Sequence, residues 1–218
     1  MRLTTLVLDL LYPPKCPFCG RLLEADETGM CGRCQRSLPW TWEGELAKPV
    51  DGCRVCLAPL WYRDGVPDGV RRYKFHHGRL HAALFGSLMA QCLSDRWEEP
   101  VHLVTWVPLS ARGLKRRGYD QARLLAGEVA ARLSLPLRPT LVKVRETKTQ
   151  SRIDEPALRR ANVEGAYETL PDLSLHGETV VLVDDVVTSG ATLAQCALRL
   201  REAGAGRIVA LTLARARE

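Results

Sequence analysis

The chain has 218 residues, 46% of them hydrophobic, which is enough for an ordinary core in one large domain or in one domain with a small appendage. Its 31 Lys and Arg against 25 Asp and Glu leave a net charge of +6, concentrated in residues 112–117, with four basic and no acidic side chains, and 143–160, with six basic against three acidic. Such stretches are either solvated surface or a polyanion site for a diphosphate or a nucleic-acid backbone. The apolar run from Leu6 to Leu11 is broken by Asp9, is too short to span a bilayer and precedes no small-residue cleavage site, so it predicts a short amphipathic helix. Neither a membrane span nor secretion is expected, and a reducing compartment, the cytoplasm, is the default.

In such a compartment eight cysteines are better metal ligands than disulfide partners. Six of them form three CxxC knuckles: Cys16 with Cys19, Cys31 with Cys34, and Cys53 with Cys56. Two knuckles complete the four-sulfur shell of a structural zinc site, and Gly20 and Gly32 suit the tight turns of a zinc ribbon, so Cys16, Cys19, Cys31 and Cys34 form the expected ligand set. No fourth CxxC follows Cys53 and Cys56. That pair reads as a degenerate second ribbon without metal, with completion by His76, His77 or His81, exchange with another knuckle, or a site shared between chains as open alternatives. Cys92 and Cys196, isolated in apolar helix-like segments, read as core.

From Trp61 onward helix and strand signals alternate. A helix is predicted over Arg79 to Trp97, with Leu80, Ala83, Leu84, Leu88, Met89 and Cys92 at helical spacing, then a strand from Val101 to Val107 ended by Pro108. A second helix follows over Tyr119 to Leu133, a short strand at Leu141 and Val142, and a polar stretch from Arg145 to Asn162 long enough to be a mobile flap. The unit then repeats: strand Thr179 to Val183, helix Ala191 to Ala203 closed by Gly204, strand Arg207 to Ala214. This order predicts an α/β domain with a mainly parallel sheet over residues 59–218, behind a zinc-ribbon module over 1–58.

The strand Thr179 to Val183 is β-branched and apolar without alternation, as in a strand covered on both faces, and it runs into Asp184 and Asp185. Ligands of open α/β sheets bind at that end of the strands. Adjacent carboxylates accept hydrogen bonds from a vicinal diol such as a ribose. Thr188, Ser189, Gly190, Ala191 and Thr192 then supply hydroxyls and backbone N–H groups at a helix start, which is a phosphate cradle. Together these grip a 5-phosphoribosyl group.

Four apolar residues, two acids and Thr-x-Gly-x-Thr resemble the phosphoribosyl pyrophosphate loop of type I phosphoribosyltransferases. With the cysteine knuckles, nearly the whole chain resembles the ComF family. Further likeness lies in Lys74-Phe75, Val107-Pro108-Leu109, Arg117-Gly118-Tyr119-Asp120-Gln121, Arg145-x-Thr147-x-x-Gln150 and Arg160-x-Asn162. The family usually has Asn where Asp120 stands, and often four CxxC pairs, so the second ribbon here looks shortened.

The resemblance implies a type I phosphoribosyltransferase fold in which Asp184 and Asp185 hold the ribose diol at the catalytic centre and residues Thr188 to Thr192 hold the 5-phosphate. Ser110 and Arg112, with Lys115, Arg116 and Arg117 beyond, would face a diphosphate neutralised by magnesium, with a structural role for Arg117 as the open alternative. It also implies a link to DNA uptake and competence proteins. Two readings follow: transfer of phosphoribosyl to a nitrogenous acceptor, or single-stranded DNA binding through a basic face and ribbon residues Arg21, Arg33 and Arg36. Trp61, Tyr62 and Tyr73 would stack on a base or, the preferred reading, pack.

Overall fold

The computed structural model describes residues 13–41, 49–75, 78–147 and 161–216. The apolar run at 6–11, the histidines at 76 and 77 and the flap residues 148–160 lie outside the described residues. In chain order the described elements are α1 (Gly32–Ser37), β1 (Val55–Leu57), β2 (Leu60–Trp61), α2 (Val66–Phe75), a 3-10 turn (Gly78–His81), α3 (Ala82–Arg96), β3 (Leu103–Trp106), α4 (Ala111–Arg117), α5 (Gln121–Leu133), β4 (Leu141–Lys143), β5 (Tyr167–Thr169), β6 (Thr179–Val187), α6 (Ala191–Glu202) and β7 (Arg207–Arg215).

Five strands form one parallel sheet in the order β1-β7-β6-β3, with β2 also on β7. β6 and β7 lie at its centre, and the period of two along them divides the core into two faces. Val181, Val183, Val209, Leu211 and Leu213 join the side chains of α2, α3 and α5, among them Tyr73, Phe85, Met89, Leu125 and Val129. Val180, Leu182, Ile208 and Ala210 pack with Leu193, Cys196, Ala197 and Leu200 of α6. β4 and β5 form a separate antiparallel pair, with Lys143 opposite Tyr167, so the expected flap leaves and returns through this ribbon. The short run Tyr167–Thr169 carried no strand signal of its own.

β6 continues four residues past the expected end at Val183, because β7 accompanies it to Arg215. β3 stops earlier: Trp106 is paired with Val183. Asp184 and Asp185 therefore stand on a strand paired on one side and open on the other, and that step in the sheet makes room for a ligand. α2 and α4, neither expected from periodicity, flank this step.

The ribbon packs on the sheet domain through shared core. Phe18 lies 5.5 Å from the Phe85 ring, and Arg72 Nη1 donates to the carbonyls of Pro17 at 2.7 Å and Phe18 at 2.9 Å. A Cβ at Gly69 would meet Phe18 Cδ1 at 2.9 Å, so this helix needs glycine where the ribbon docks. The third knuckle is not a free-standing ribbon. Cys56 lies on β1 opposite Ala210 of β7, because Val55–Leu57 is apolar enough to extend the sheet. His81 packs against Phe85 on the opposite sheet face from the cluster holding Cys53 and Cys56, so it does not complete a site with them. Cys92 and Cys196 are core residues. No helix among the described residues is long and apolar enough to cross a membrane.

Candidate functional site

Cys16, Cys19, Cys31 and Cys34 bring their four sulfurs within 4.8 Å of one another. Cys19 and Cys31 sulfurs lie 3.7 Å apart, close to the edge of about 3.8 Å expected for a tetrahedron with Zn–S bonds of about 2.3 Å. Cys31 caps α1 and its sulfur accepts from the Cys34 backbone N–H at 3.4 Å. A four-thiol set, buried except for the half-buried Cys19, with an N–H donor aimed at sulfur suits a structural zinc ion.

The second site is a cavity of about 730 Å³ at the carboxyl end of β6. Asp184 and Asp185, the loop from Thr188 to Thr192, and Tyr62, Lys74, Phe75, Arg116 and Arg117 all line it. Gly190 has φ of +78°, and a Cβ there would lie 3.0 Å from Val50 Cγ2, so the loop depends on glycine for both conformation and space. Gly190 also stands at the N-cap of α6 without a side-chain hydrogen bond. The Ala191 N–H donates to Ser189 Oγ at 3.5 Å, and the loop lies at the N-terminus of α6, the end of a helix that attracts anions.

The two acids differ. Asp185 is buried, with Oδ1 paired to Lys74 Nζ at 2.9 Å and Oδ2 accepting from Gln121 Nε2 at 3.2 Å. Asp184 is half-buried, and its Oδ1 accepts from the Asp185 backbone N–H at 2.8 Å. Burial first, then the neighbouring Asp185 charge, push the Asp184 carboxyl up to about 7.

Not every expected residue reaches this cavity. Ser110 caps α4, its hydroxyl accepting from the Gly113 N–H at 3.1 Å, and Arg112 is exposed on that helix outside the cavity lining. Arg116 and Arg117, a turn further on, line it instead. The Arg117 guanidinium lies 5.5 Å from the Phe75 ring, and its Nε and Nη1 are buried without a hydrogen-bond partner among the described residues. Asp120 accepts from Arg123 N and Leu109 N, both at 3.1 Å, so it ties α5 to the loop after β3. Trp61 lies under the Arg215 guanidinium and Tyr73 is fully buried, which is packing, whereas Tyr62 lines the cavity. Nothing in the sequence assigns Lys74 and Gln121 their roles at Asp185; the partners lie far apart along the chain, and local spacing carries no signal for such pairings.

Residues 74–218 match the family model described as phosphoribosyl transferase domain, and residues 7–66 match the model described as double zinc ribbon domain. The chain is 32% identical to the DNA utilization protein YhgH of Salmonella typhimurium, covering 92% of this chain and 83% of the relative. It is 29% identical to competence protein F of Haemophilus influenzae, over 93% and 97% of the two chains. Against the competence protein ComFC of Bacillus subtilis it is 26% identical over 92% and 77%.

Proposed function

Since this chain belongs to the phosphoribosyl transferase domain family and carries a double zinc ribbon domain ahead of it, we propose that it binds phosphoribosyl pyrophosphate with magnesium in the cavity at the end of β6. We further propose that it acts in the cytoplasm, transfers the phosphoribosyl group to a nitrogenous acceptor, and serves DNA utilization or competence, the processes that its relatives' names state. One observation carries the reading: the acid pair, the loop from Thr188 to Thr192 and the Arg116 and Arg117 side chains all line one cavity. The diol meets the acids, the 5-phosphate meets the N–H groups of α6, and the diphosphate meets Arg116 and Arg117. Magnesium bound with the substrate supplies charge neutralisation to the departing diphosphate.

In the reaction the acceptor nitrogen forms a bond to the anomeric carbon as the C–O bond breaks. The electron pair leaves on the diphosphate oxygen, and the acceptor loses a proton. Such displacements pass through an oxocarbenium-like state, which the nearby carboxylates stabilise. Calorimetry with magnesium and phosphoribosyl pyrophosphate tests the reading. Replacing both acids with Ala removes charge-assisted hydrogen bonds worth roughly 1.5–3 kcal/mol each, hence more than tenfold in affinity. Unchanged binding in that variant would overturn the assignment, and diphosphate release in the presence of nucleobases or single-stranded DNA identifies the acceptor.

A second reading, single-stranded DNA binding, is favoured by α4, which exposes Arg112, Lys115 and Arg116 with no acidic residue in the helix. The ribbon contributes less than the sequence suggests: Arg21 is engaged by Glu24 at 2.6 Å and Glu27 at 2.5 Å.

A further inference from the structure

Adjacent residues of a strand face opposite sides of a sheet, so Asp184 and Asp185 cannot be equivalent. Asp185 follows Val181 and Val183 toward α2 and α5, while Asp184 follows Val180 and Leu182 toward α6. On its side Asp185 meets a closed set of donors. Lys74, in the last turn of α2, holds Oδ1, and Gln121, at the first position of α5, holds Oδ2. The two helices are also joined directly: Tyr73 OH donates to the Gln121 carbonyl at 2.7 Å, and Tyr119 OH donates to the Tyr73 carbonyl. Asp185 is thus the point on β6 where the helix carrying the Tyr62–Phe75 side of the cavity is fastened.

Asp184 has no such set: among the described residues its carboxylate has one protein donor, the Asp185 N–H, and it stays half-buried in the cavity lining.

We propose that Asp185 is an anchor fixing α2 to the sheet through Lys74, an inference that does not depend on the proposed ribose site. Lys74 is then a positioning residue. It sets where Phe75, at the end of α2, stands relative to the loop from Thr188 to Thr192 that lines the same cavity.

Amide hydrogen exchange in the ligand-free protein tests the anchor. Asp185→Asn and Lys74→Met should each raise exchange across residues 66–75 severalfold, and the double variant should raise it no further than either single change. Asp184→Asn should leave that segment unchanged. Lys74→Arg, which keeps the charge, should restore protection. Should Asp185→Asn fail to fold, Lys74→Met, at a side chain 24% exposed, carries the same comparison with Asp184→Asn.

Equal effects of Asp184→Asn and Asp185→Asn on residues 66–75, or none from Lys74→Met, would overturn the anchor. Absence of phosphoribosyl pyrophosphate binding by the unaltered protein would remove the ribose reading, while the exchange comparison would still decide the anchor.

Discussion

Asp184 is a carboxyl whose ionisation the fold opposes. Its pKa in the folded chain, about 7, lies above the unfolded value near 3.9. A raised pKa contributes stability below the unfolded value that is lost as pH climbs through the folded one, so this group weakens the fold between about pH 4 and pH 7. Asp184→Asn should therefore melt higher than the unaltered protein at pH 8 and no higher at pH 4, at roughly 2–4 °C for each kcal/mol recovered. Ligand binding has the opposite sense. A diol donates to the carboxylate, so affinity for phosphoribosyl pyrophosphate should weaken as pH falls below 7, and calorimetry should show that this component vanishes in Asp184→Asn. At Gly190 the constraint is steric. Ala in a left-handed conformation costs roughly 1–2 kcal/mol, and the clash with Val50 adds to it. Gly190→Ala should lower denaturant stability by at least that much, and adding Val50→Ala should relieve the clash and not the conformational part.

Two elements carry predictions. The ribbon shares its core with α2 and α3 through Phe18, Tyr73 and Phe85. Metal analysis after gel filtration should give one zinc per chain, held by the four clustered cysteines; two tightly held ions would show that Cys53 and Cys56 recruit further ligands. Zinc binding and ribbon folding are one event. Chelation should nevertheless raise hydrogen exchange in residues 66–96 as well as in the ribbon, because Phe18 leaves a gap under α2. The other element is α4, where one helical turn separates two environments. Arg112 and Lys115 stand outside the cavity lining and Arg117 stands inside it. Arg117→Ala should weaken phosphoribosyl pyrophosphate binding, while Arg112→Ala with Lys115→Ala should barely change it.

At the scale of the whole molecule, a charge of +6 and an exposed basic helix beside the cavity make one surface that suits polyanions, and the two proposed partners would share it. For single-stranded DNA, affinity should fall with salt, and replacing Arg112, Lys115 and Arg116 together with Ala should flatten the slope by roughly 0.7 for each phosphate the protein then leaves unneutralised. A fluorescence titration over a range of salt concentrations checks this. An unchanged slope would place the DNA on another face, and Arg33 and Arg36 of the ribbon would be the next to replace.

The sequence by itself determined what depends on neighbours in the chain. The four zinc-site cysteines were legible because CxxC is a local turn, β6 because a strand buried on both faces must be continuously apolar, and the Asp184 to Thr192 loop because its acids, glycine and hydroxyls follow one another. Tertiary structure decided what depends on partners far along the chain. It placed Cys56 of the third knuckle on the sheet, because β7 offered Val55–Leu57 an edge. It turned Ser110 into a helix cap, and of the four basic residues expected at the diphosphate it brought Arg116 and Arg117 to the cavity and left Arg112 and Lys115 outside its lining, because helix phase is fixed by where α4 begins. It also made two adjacent aspartates unlike, since a strand turns neighbours to opposite faces and only the packed fold sets Lys74 and Gln121 beside one of them.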